Sequence, residues 1–238
     1  MHSKKETATQ PDDRYLKRWN PNEYYKDNSV AKSYDGTRFT SFSGRLFNWL
    51  EKRAIRRAFA DLPNESRIAD IPCGTGRLAE VLLQNSHLVT GIDISAAMLS
   101  VASERLQRFG SRFSTEVSDA RELSKGGERF DAVLCARFLM HFPLDDQLEF
   151  VRNVVLASRH RVVLTQGIST PLQRARRALK RLIGRFQAAA SFPLTPGELK
   201  YLLESAGLRE IRRYRPLPLL SESLVVVAER IPARDIKK

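Results

Sequence analysis

The sequence predicts an α/β protein with a mostly parallel β-sheet that helices cover on both faces. Short apolar segments alternate with segments of helical periodicity through the middle of the chain, which is the pattern of successive β-α units. Hydrophobic residues make up 42% of the 238 residues, enough to build a sizeable core. This length suits one decorated domain rather than two full domains.

The predicted strands are short apolar runs bounded by turn residues. They are Arg67–Ile71, His87–Ile92, Phe113–Val117, Phe130–Ala136, Arg161–Thr165, Leu208–Tyr214 and Leu224–Glu229. Helices are expected where apolar residues recur at helical spacing or where a capping residue opens such a segment. They are Phe42–Asp61, Arg77–Gln84, a helix capped by Ser95 that runs to Phe109, Leu144–Ala157 and Thr195–Ala206.

The chain outside this α/β pattern has a different composition. Residues 1–13 are polar and are expected to form a disordered tail without a signal peptide, and residues 14–238 a single domain that begins with a helical cap at 14–64. The two cysteines lie in unrelated segments, which predicts neither a disulfide framework nor a metal site. Since no apolar run is long enough to span a bilayer, we expect a cytoplasmic protein. Peripheral association with the inner face of the membrane is compatible with this expectation.

A glycine-containing turn follows the first predicted strand. It reads Asp70-Ile71-Pro72-Cys73-Gly74-Thr75-Gly76. Gly74 and Gly76 allow a sharp turn and a close approach of the backbone to a ligand, and the following helix presents N–H groups and a positive dipole end. The preceding strand and following helix favour a ligand-binding loop over an ordinary tight turn.

Aspartates end three successive predicted strands. Asp70 ends the first, Asp93 follows the second at 17 residues after Gly76, and Asp119 follows the third. Ligands bind at the carboxyl edge of open α/β sheets, where an acidic residue accepts ribose hydroxyls. The same residues also fit a dinucleotide-binding fingerprint, so a hydride-transfer enzyme is an alternative at this point.

The wider pattern resembles the class I S-adenosylmethionine-dependent methyltransferases over roughly Ser66 to Glu229. The matching segments are Asp70–Gly76, Gly91–Ser95 with Ala96–Leu99, Ser118–Ala120, Phe130–Phe142 and Leu194–Leu208. The resemblance implies a Rossmann-like three-layer sandwich whose seven-stranded sheet ends in an antiparallel strand. It also implies S-adenosylmethionine as the cofactor, held by Gly74, Gly76, Asp93 and Asp119 with Asp70 supporting the turn. Pro72 departs from the family, which usually has a glycine there.

Methyl transfer from a sulfonium depends mainly on positioning, so a general base is needed only for a weakly acidic acceptor. His141 follows the fourth strand and is the first candidate, with capping of the turn as its structural alternative. Tyr34 resembles a residue that closes the cofactor pocket in small-molecule methyltransferases, and core packing is its alternative. We therefore predict methyl transfer to oxygen or carbon of a small-molecule or lipid-like acceptor.

The segment 170–193 is predicted to be a basic helical insertion. From Phe150 to Gly197 there is no Asp or Glu. The cations of that span are Arg152, Arg159, Arg161, Arg174, Arg176, Arg177, Lys180, Arg181 and Arg185. The insertion is interpreted as a lid packed on the core, as a contact with an anionic membrane surface, or as a phosphate-binding element of an RNA methyltransferase. A non-catalytic adenosylmethionine-binding partner protein is the alternative outside the enzymes.

Overall fold

A computed structural model describes residues 41–127, 129–171, 173–175, 179, 191–217 and 221–231. Its strands are β1 (Arg67–Asp70), β2 (Leu88–Asp93), β3 (Phe113–Val117), β4 (Phe130–Cys135), β5 (Ser158–Gly167), β6 (Leu208–Tyr214) and β7 (Ser223–Arg230). Its α-helices are α1 (Phe42–Phe59), α2 (Ala79–Gln84), α3 (Ala96–Leu106), α4 (Leu144–Ala157) and α5 (Pro196–Ser205). Short 3₁₀ helices span Gln107–Arg112, Ala120–Gly126 and Leu139–His141.

The strands form one seven-stranded sheet in the order β3-β2-β1-β4-β5-β7-β6. β1 to β5 pair in parallel, whereas β7 is antiparallel to both β5 and β6. The predicted α/β class and the antiparallel last strand are therefore confirmed. The strand order reverses at β1, so the carboxyl edges of β1, β2 and β4 form the crevice where ligands bind in open α/β sheets.

The hydrophobic core has two layers, one on each face of the sheet. Buried side chains of α1, α2 and α3 pack on one face, and those of α4 and α5 pack on the other. Strand β7 serves both layers because successive side chains point to opposite faces: Val225 and Val227 belong to the first, and Leu224 and Val226 to the second. This is the three-layer sandwich that the sequence predicts.

Local sequence sets where several helices begin. Ser95 accepts a hydrogen bond from the Met98 N–H at the start of α3, as predicted for a capping serine. At α5, Thr195 and Glu198 form a reciprocal capping box. The α3 pattern stops at Leu106 rather than Phe109, because the chain continues as a 3₁₀ helix and turns at Gly110 with a φ of 57°.

Strand β5 is longer than the predicted Arg161–Thr165. It spans Ser158–Gly167 and pairs with β7 through Gly167. Gln166 lies just past the predicted end, and its amide donates to the Gln147 side chain of α4 at 2.7 Å, with both residues buried. Its Oε1 has no hydrogen-bond partner among the described residues, so only the NH₂ half of the amide is satisfied within the strand.

An ion cluster around the buried Arg161 connects the end of α1 to the far half of the sheet. The Arg161 guanidinium is 7% exposed and contacts the Asp61 carboxylate at 2.5 Å, Glu229 at 3.3 Å and the Ala58 carbonyl at 3.2 Å. Arg212 contacts the second oxygen of Asp61 at 2.5 Å. The hydrogen bond from Arg161 holds the pKa of Asp61 down at about 2.

This depressed pKa predicts an acid-dependent contribution to stability. Because the folded pKa lies below the unfolded one, the ionised Asp61 stabilises the fold above about pH 4 and loses that effect as the pH falls toward 2. We expect Asp61→Asn to lower the free energy of unfolding by about 1 kcal/mol at pH 7, since the carboxylate is half exposed. Urea unfolding at pH 7 and pH 3 measures the difference, with exposed Glu104→Gln as control. An equal loss at both pH values would contradict the assignment.

Among the described helices, none is both long and apolar enough to cross a membrane. The tail at 1–13, the first part of the cap at 14–40 and most of the insertion lie outside the described residues.

Candidate functional site

The loop from Ile71 to Leu78 joins β1 to α2 at the carboxyl edge of the sheet. Gly74 and Gly76 adopt φ values of +54° and +74°, in the left-handed region that favours glycine. A Cβ on Gly76 would lie 2.8 Å from Leu106 Cδ1, whereas a Cβ on Gly74 would meet no atom within 4 Å. Gly76 therefore permits the packing of the loop on α3, and Gly74 borders open space.

Asp93 is held by the backbone at the end of β2. Its Oδ2 accepts from the Gly74 N–H at 2.8 Å, and its Oδ1 accepts from the Ser95 N–H at 2.9 Å. Burial raises the pKa of the carboxyl, and these N–H groups oppose that shift. The side chain thus connects the glycine loop to the start of α3, and each oxygen retains a lone pair for a ligand hydroxyl.

Asp70 lies beneath the same loop at the end of β1. It is 1% exposed, and its Oδ2 has no hydrogen-bond partner among the described residues. Burial raises its pKa well above the usual range; Arg77 and the Ala79 N–H oppose that effect, and the nearby Asp93 adds to it. The raised pKa favours the protonated, neutral acid, and an unsatisfied buried oxygen is costly; a donor or a positive charge brought by a ligand would favour the ionised form instead.

Asp119 follows β3 and is the most exposed of the three aspartates, with 33% of its side chain accessible. Its Oδ1 accepts from the Arg121 N–H at 2.9 Å, and its carbonyl accepts from Glu122 at the start of a 3₁₀ helix. The structure therefore places Asp70, Asp93 and Asp119 at three strand ends on one edge of the sheet. Asp119 also caps the start of this 3₁₀ helix through the same two contacts.

Gly91, inside β2, belongs to the segment Gly91–Ser95 that resembles the family, but its packing role was not predicted from the sequence. A Cβ there would lie 2.6 Å from Cys73 Sγ and 3.1 Å from Phe113 Cζ. The Cys73 N–H donates to the Ile92 carbonyl at 2.8 Å. Gly91 therefore allows the glycine loop, through Cys73, to lie directly on β2. A glycine within an otherwise apolar strand is the signal that identifies such a close approach.

A buried Glu51 links α1 to two loops at this edge, and sequence reasoning missed it as well. Glu51 is 0% exposed and contacts Arg77 at 2.6 Å and Arg137 at 3.6 Å. Arg77 follows the glycine loop, and Asn48 accepts a second hydrogen bond from it at 2.5 Å. Arg137 follows β4 with a φ of 58°, and its N–H donates to Thr165 Oγ1 at 2.6 Å. The signal available in the sequence was that Glu51 is the one acidic residue in an otherwise basic helix.

His141 ends the 3₁₀ helix Leu139–His141 that follows β4, and it is partly buried. Its N–H donates to the Phe138 carbonyl at 3.0 Å, so it does take part in the turn. The Phe192 N–H donates to the Met140 carbonyl at 2.7 Å. The end of the segment 170–193 therefore returns beside His141. Tyr34, the other predicted catalytic residue, lies outside the described residues.

Three cations of the basic region serve the fold. Arg161 belongs to the ion cluster with Asp61, Arg159 contacts Asp131 at 3.5 Å, and Arg152 donates to the Ser205 carbonyl at the end of α5 at 3.3 Å. The excess positive charge thus falls mainly on 174–185. Within that range Arg174 and Leu179 are helical and exposed, while the predicted amphipathic helix as a whole lies outside the described residues.

The geometry fits an adenosine-containing cation. Hydroxyl acceptors stand at Asp93, open space borders Gly74, and the orphaned Asp70 oxygen favours positive charge. Comparison with known proteins decides between this ligand and a dinucleotide. Residues 68–167 match the family model described as a methyltransferase domain. Over these residues, which make up less than half of the chain, the protein is similar to a methyltransferase domain. Its matched segment runs from β1 through β5 and includes the glycine loop, Asp93 and His141.

Similar proteins were found among both sequences and solved structures. The chain is 30% identical over 86 residues to a ubiquinone biosynthesis O-methyltransferase of Coxiella burnetii, covering 36% of each chain. It is 26% identical over 98 residues to the magnesium-protoporphyrin O-methyltransferase of Synechocystis, covering 41% of this chain and 43% of that protein. The chain therefore aligns with less than half the length of either relative.

The fold extends further than the sequence similarity. A crystal structure of the Synechocystis magnesium protoporphyrin IX methyltransferase with bound SAH superimposes with a TM-score of 0.72. That superposition covers 92% of this chain and 100% of the other at 20% identity. It establishes the Rossmann-like methyltransferase fold for nearly the whole chain.

Proposed function

We propose that this protein transfers the methyl group of S-adenosylmethionine to oxygen or carbon of a small-molecule or lipid-like acceptor. The observation that carries the proposal is the placement of Asp93, whose carboxylate joins the glycine loop to α3 at the carboxyl edge of the sheet. The O-methyltransferases among its relatives, named for ubiquinone biosynthesis and magnesium protoporphyrin, support a small acceptor.

Each predicted cofactor-binding residue has a physical role in this proposal. Asp93 would accept the ribose hydroxyls, Asp119 would meet the adenine amino group, and Gly74 and Gly76 would let the backbone approach the ligand. Asp70 supports the loop from below, and its orphaned oxygen would offset positive charge. When bound, the cofactor supplies an activated methyl group for in-line displacement.

The protein's remaining task is to orient the acceptor and receive its proton. His141 stands after β4, beside the returning end of the segment 170–193. An imidazole there would take the proton of a hydroxyl acceptor as the oxygen–carbon bond forms. Positioning contributes the larger share of the rate, because a properly aligned displacement avoids about 7–11 kcal/mol of entropic and solvent cost.

We expect His141→Ala to lower kcat about 100-fold for a hydroxyl acceptor while the Kd for S-adenosylmethionine changes little. The loss should fall on kcat because the base acts only on the acceptor proton. The control is His160→Ala, an exposed histidine on β5. Steady-state assays with a phenol or catechol acceptor would measure kcat for both variants. An unchanged kcat in His141→Ala would mean that His141 serves only the turn.

The first experiment is calorimetric titration of the full chain with S-adenosylmethionine and S-adenosylhomocysteine, with NAD in a parallel titration. Micromolar binding of the sulfur nucleosides supports the proposal. Binding of NAD alone would favour hydride transfer, and binding without turnover of any acceptor would favour a non-catalytic partner protein.

The RNA methyltransferase alternative makes a separate prediction. Contacts to phosphates release counterions, so the affinity for RNA should fall steeply as the salt concentration rises. An affinity for RNA that does not change with salt would exclude this alternative.

We also propose, for the methyltransferase of small or lipid-like acceptors, a cytoplasmic location and a contact between the segment 170–193 and an anionic membrane surface. The net charge of +13 supports both anionic partners.

A further inference from the structure

The outer face of α1 carries an exposed apolar and basic stripe. Phe42, Leu46, Trp49 and Arg53 recur at positions i, i+4, i+7 and i+11, so they share one side of the helix. Phe42 is 75% exposed, Leu46 38% and Trp49 56%. Large apolar side chains grouped on one surface commonly mark an interaction site. We call these four residues the α1 stripe.

The opposite side of α1 is fully accounted for by the fold. Ala54, Ile55, Ala58 and Phe59 are buried against the sheet, and Glu51 binds the two arginines described above. The helix therefore does not need the α1 stripe for its own packing.

Charge identifies the kind of surface that fits the α1 stripe. The helix has five basic residues, and its single acidic residue, Glu51, points inward with 0% exposure. Its basic residues are Arg45, Lys52, Arg53, Arg56 and Arg57. Lys52 is paired with Glu80 of α2 at 3.0 Å, whereas the four arginines are exposed. The exposed side thus combines aromatic and aliphatic groups with the positive charge of these arginines, and α1 itself places no acidic residue there.

We propose that the α1 stripe docks the protein on an anionic lipid surface. A helix with apolar and aromatic residues on one side, flanked by cations, lies at the boundary between headgroups and acyl chains. Trp49 suits that boundary because its ring is amphipathic, and the Arg53 guanidinium lies 5.5 Å from the Trp49 ring centroid. The neighbouring arginines attract anionic headgroups.

Two other partners fit these residues less well. In a contact between two copies of the stripe, Arg53 and its neighbours would face like charges, which is unfavourable. RNA would bind the cations and stack on Trp49, yet it has no use for the exposed aliphatic side chain of Leu46. Insertion into a lipid surface uses all of these groups.

The position of α1 gives this surface a functional consequence. Glu51 on its inner side contacts Arg77 after the glycine loop and Arg137 after β4. The helix that would lie on the membrane therefore also borders the candidate site. Delivery of a lipid-like acceptor from that membrane rests on the proposed function, whereas docking itself does not.

Vesicle co-sedimentation of the full chain tests the docking. The protein should bind phosphatidylcholine vesicles that contain phosphatidylglycerol, bind phosphatidylcholine alone much more weakly, and lose binding in high salt. Phe42→Ser and Trp49→Ser should each weaken binding roughly tenfold. The matched control is Tyr201→Ser on α5, a residue that is 53% exposed and should leave binding unchanged.

Tryptophan fluorescence locates the contact. In a Trp19→Phe background Trp49 is the sole tryptophan, and its emission should shift to shorter wavelength when phosphatidylglycerol vesicles are added. Circular dichroism and thermal unfolding of each variant verify the fold.

Several results would overturn the proposal. The first is vesicle binding that persists in both serine variants, and the second is vesicle binding that is lost only when Arg176, Arg177 and Arg181 are neutralised. The third is binding of RNA but not of vesicles, and the fourth is a dimer that the substitution Trp49→Ser dissociates. Titration of the same variants with S-adenosylmethionine keeps the two proposals separate. If the protein binds S-adenosylmethionine but not vesicles, the docking proposal is wrong and the proposed function stands. If it binds vesicles but not S-adenosylmethionine, the proposed function is wrong and the docking proposal stands.

Discussion

Replacing Asp93 with alanine is expected to weaken S-adenosylmethionine binding about 100-fold or more. The substitution would remove the acceptor of two ribose hydroxyls, and hydrogen bonds to a charged group contribute about 1.5–3 kcal/mol each. It would also leave the Gly74 and Ser95 N–H groups without the carboxylate that now accepts from both. Calorimetric titration measures the loss, and thermal unfolding reports how much of it comes from the loop.

Two variants separate ligand binding from support of the loop. Asp93→Asn keeps an acceptor oxygen at this position and should bind better than Asp93→Ala. Asp131→Asn is the matched control, because Asp131 lies on β4 at the opposite edge of the sheet, where it accepts from the Arg67 N–H at 2.8 Å. If Asp131→Asn weakened cofactor binding as much as Asp93→Ala, the site would have been placed at the wrong edge.

Substitutions in the glycine loop give the second large effect: Gly76→Ala should mainly lower stability, and Gly74→Ala should mainly weaken cofactor binding. Gly76→Ala places a Cβ 2.8 Å from Leu106 Cδ1 at a φ of +74°. Backbone strain and overpacking together should lower the free energy of unfolding by about 2–4 kcal/mol. Gly74→Ala meets no protein atom within 4 Å, so it should cost only about 1 kcal/mol of strain.

Cofactor binding should reverse that order once folded protein is compared. The open space beside Gly74 is where the backbone would approach the ligand, so Gly74→Ala should raise the Kd at least about tenfold. Urea unfolding and calorimetry on both variants measure the two effects. If Gly74→Ala bound the cofactor normally, the ligand would not approach this part of the loop.

Much of the fold followed from local patterns in the sequence. β3, α4 and β6 have the predicted bounds. Ser95 acts as the predicted cap of α3. The glycine loop and Asp93 were predictable because adjacent strand ends of a parallel sheet meet at one edge.

The features that sequence reasoning missed depend on contacts between distant residues. Glu51 meets Arg77 and Arg137 only after α1 packs against the sheet; as the one acidic residue of α1 it stands out in the sequence, but the helix does not identify its partners. Gln166 continues β5 because α4 supplies Gln147 as a partner. The basic region looked like one patch in the sequence, yet Arg161 is directed inward because Asp61 and Glu229 lie there.

The close packing of Cys73 against Gly91 has a consequence for the chemical durability of the site. Burial raises the pKa of the Cys73 thiol well above its usual range, and the nearby Asp70 and Asp93 add to the effect. Oxidants and alkylating reagents attack the thiolate, so a buried thiol with a raised pKa reacts slowly even though Cys73 lies in the loop that would hold the cofactor. We expect the folded protein to keep this thiol unmodified under mildly oxidising conditions in which an exposed cysteine reacts.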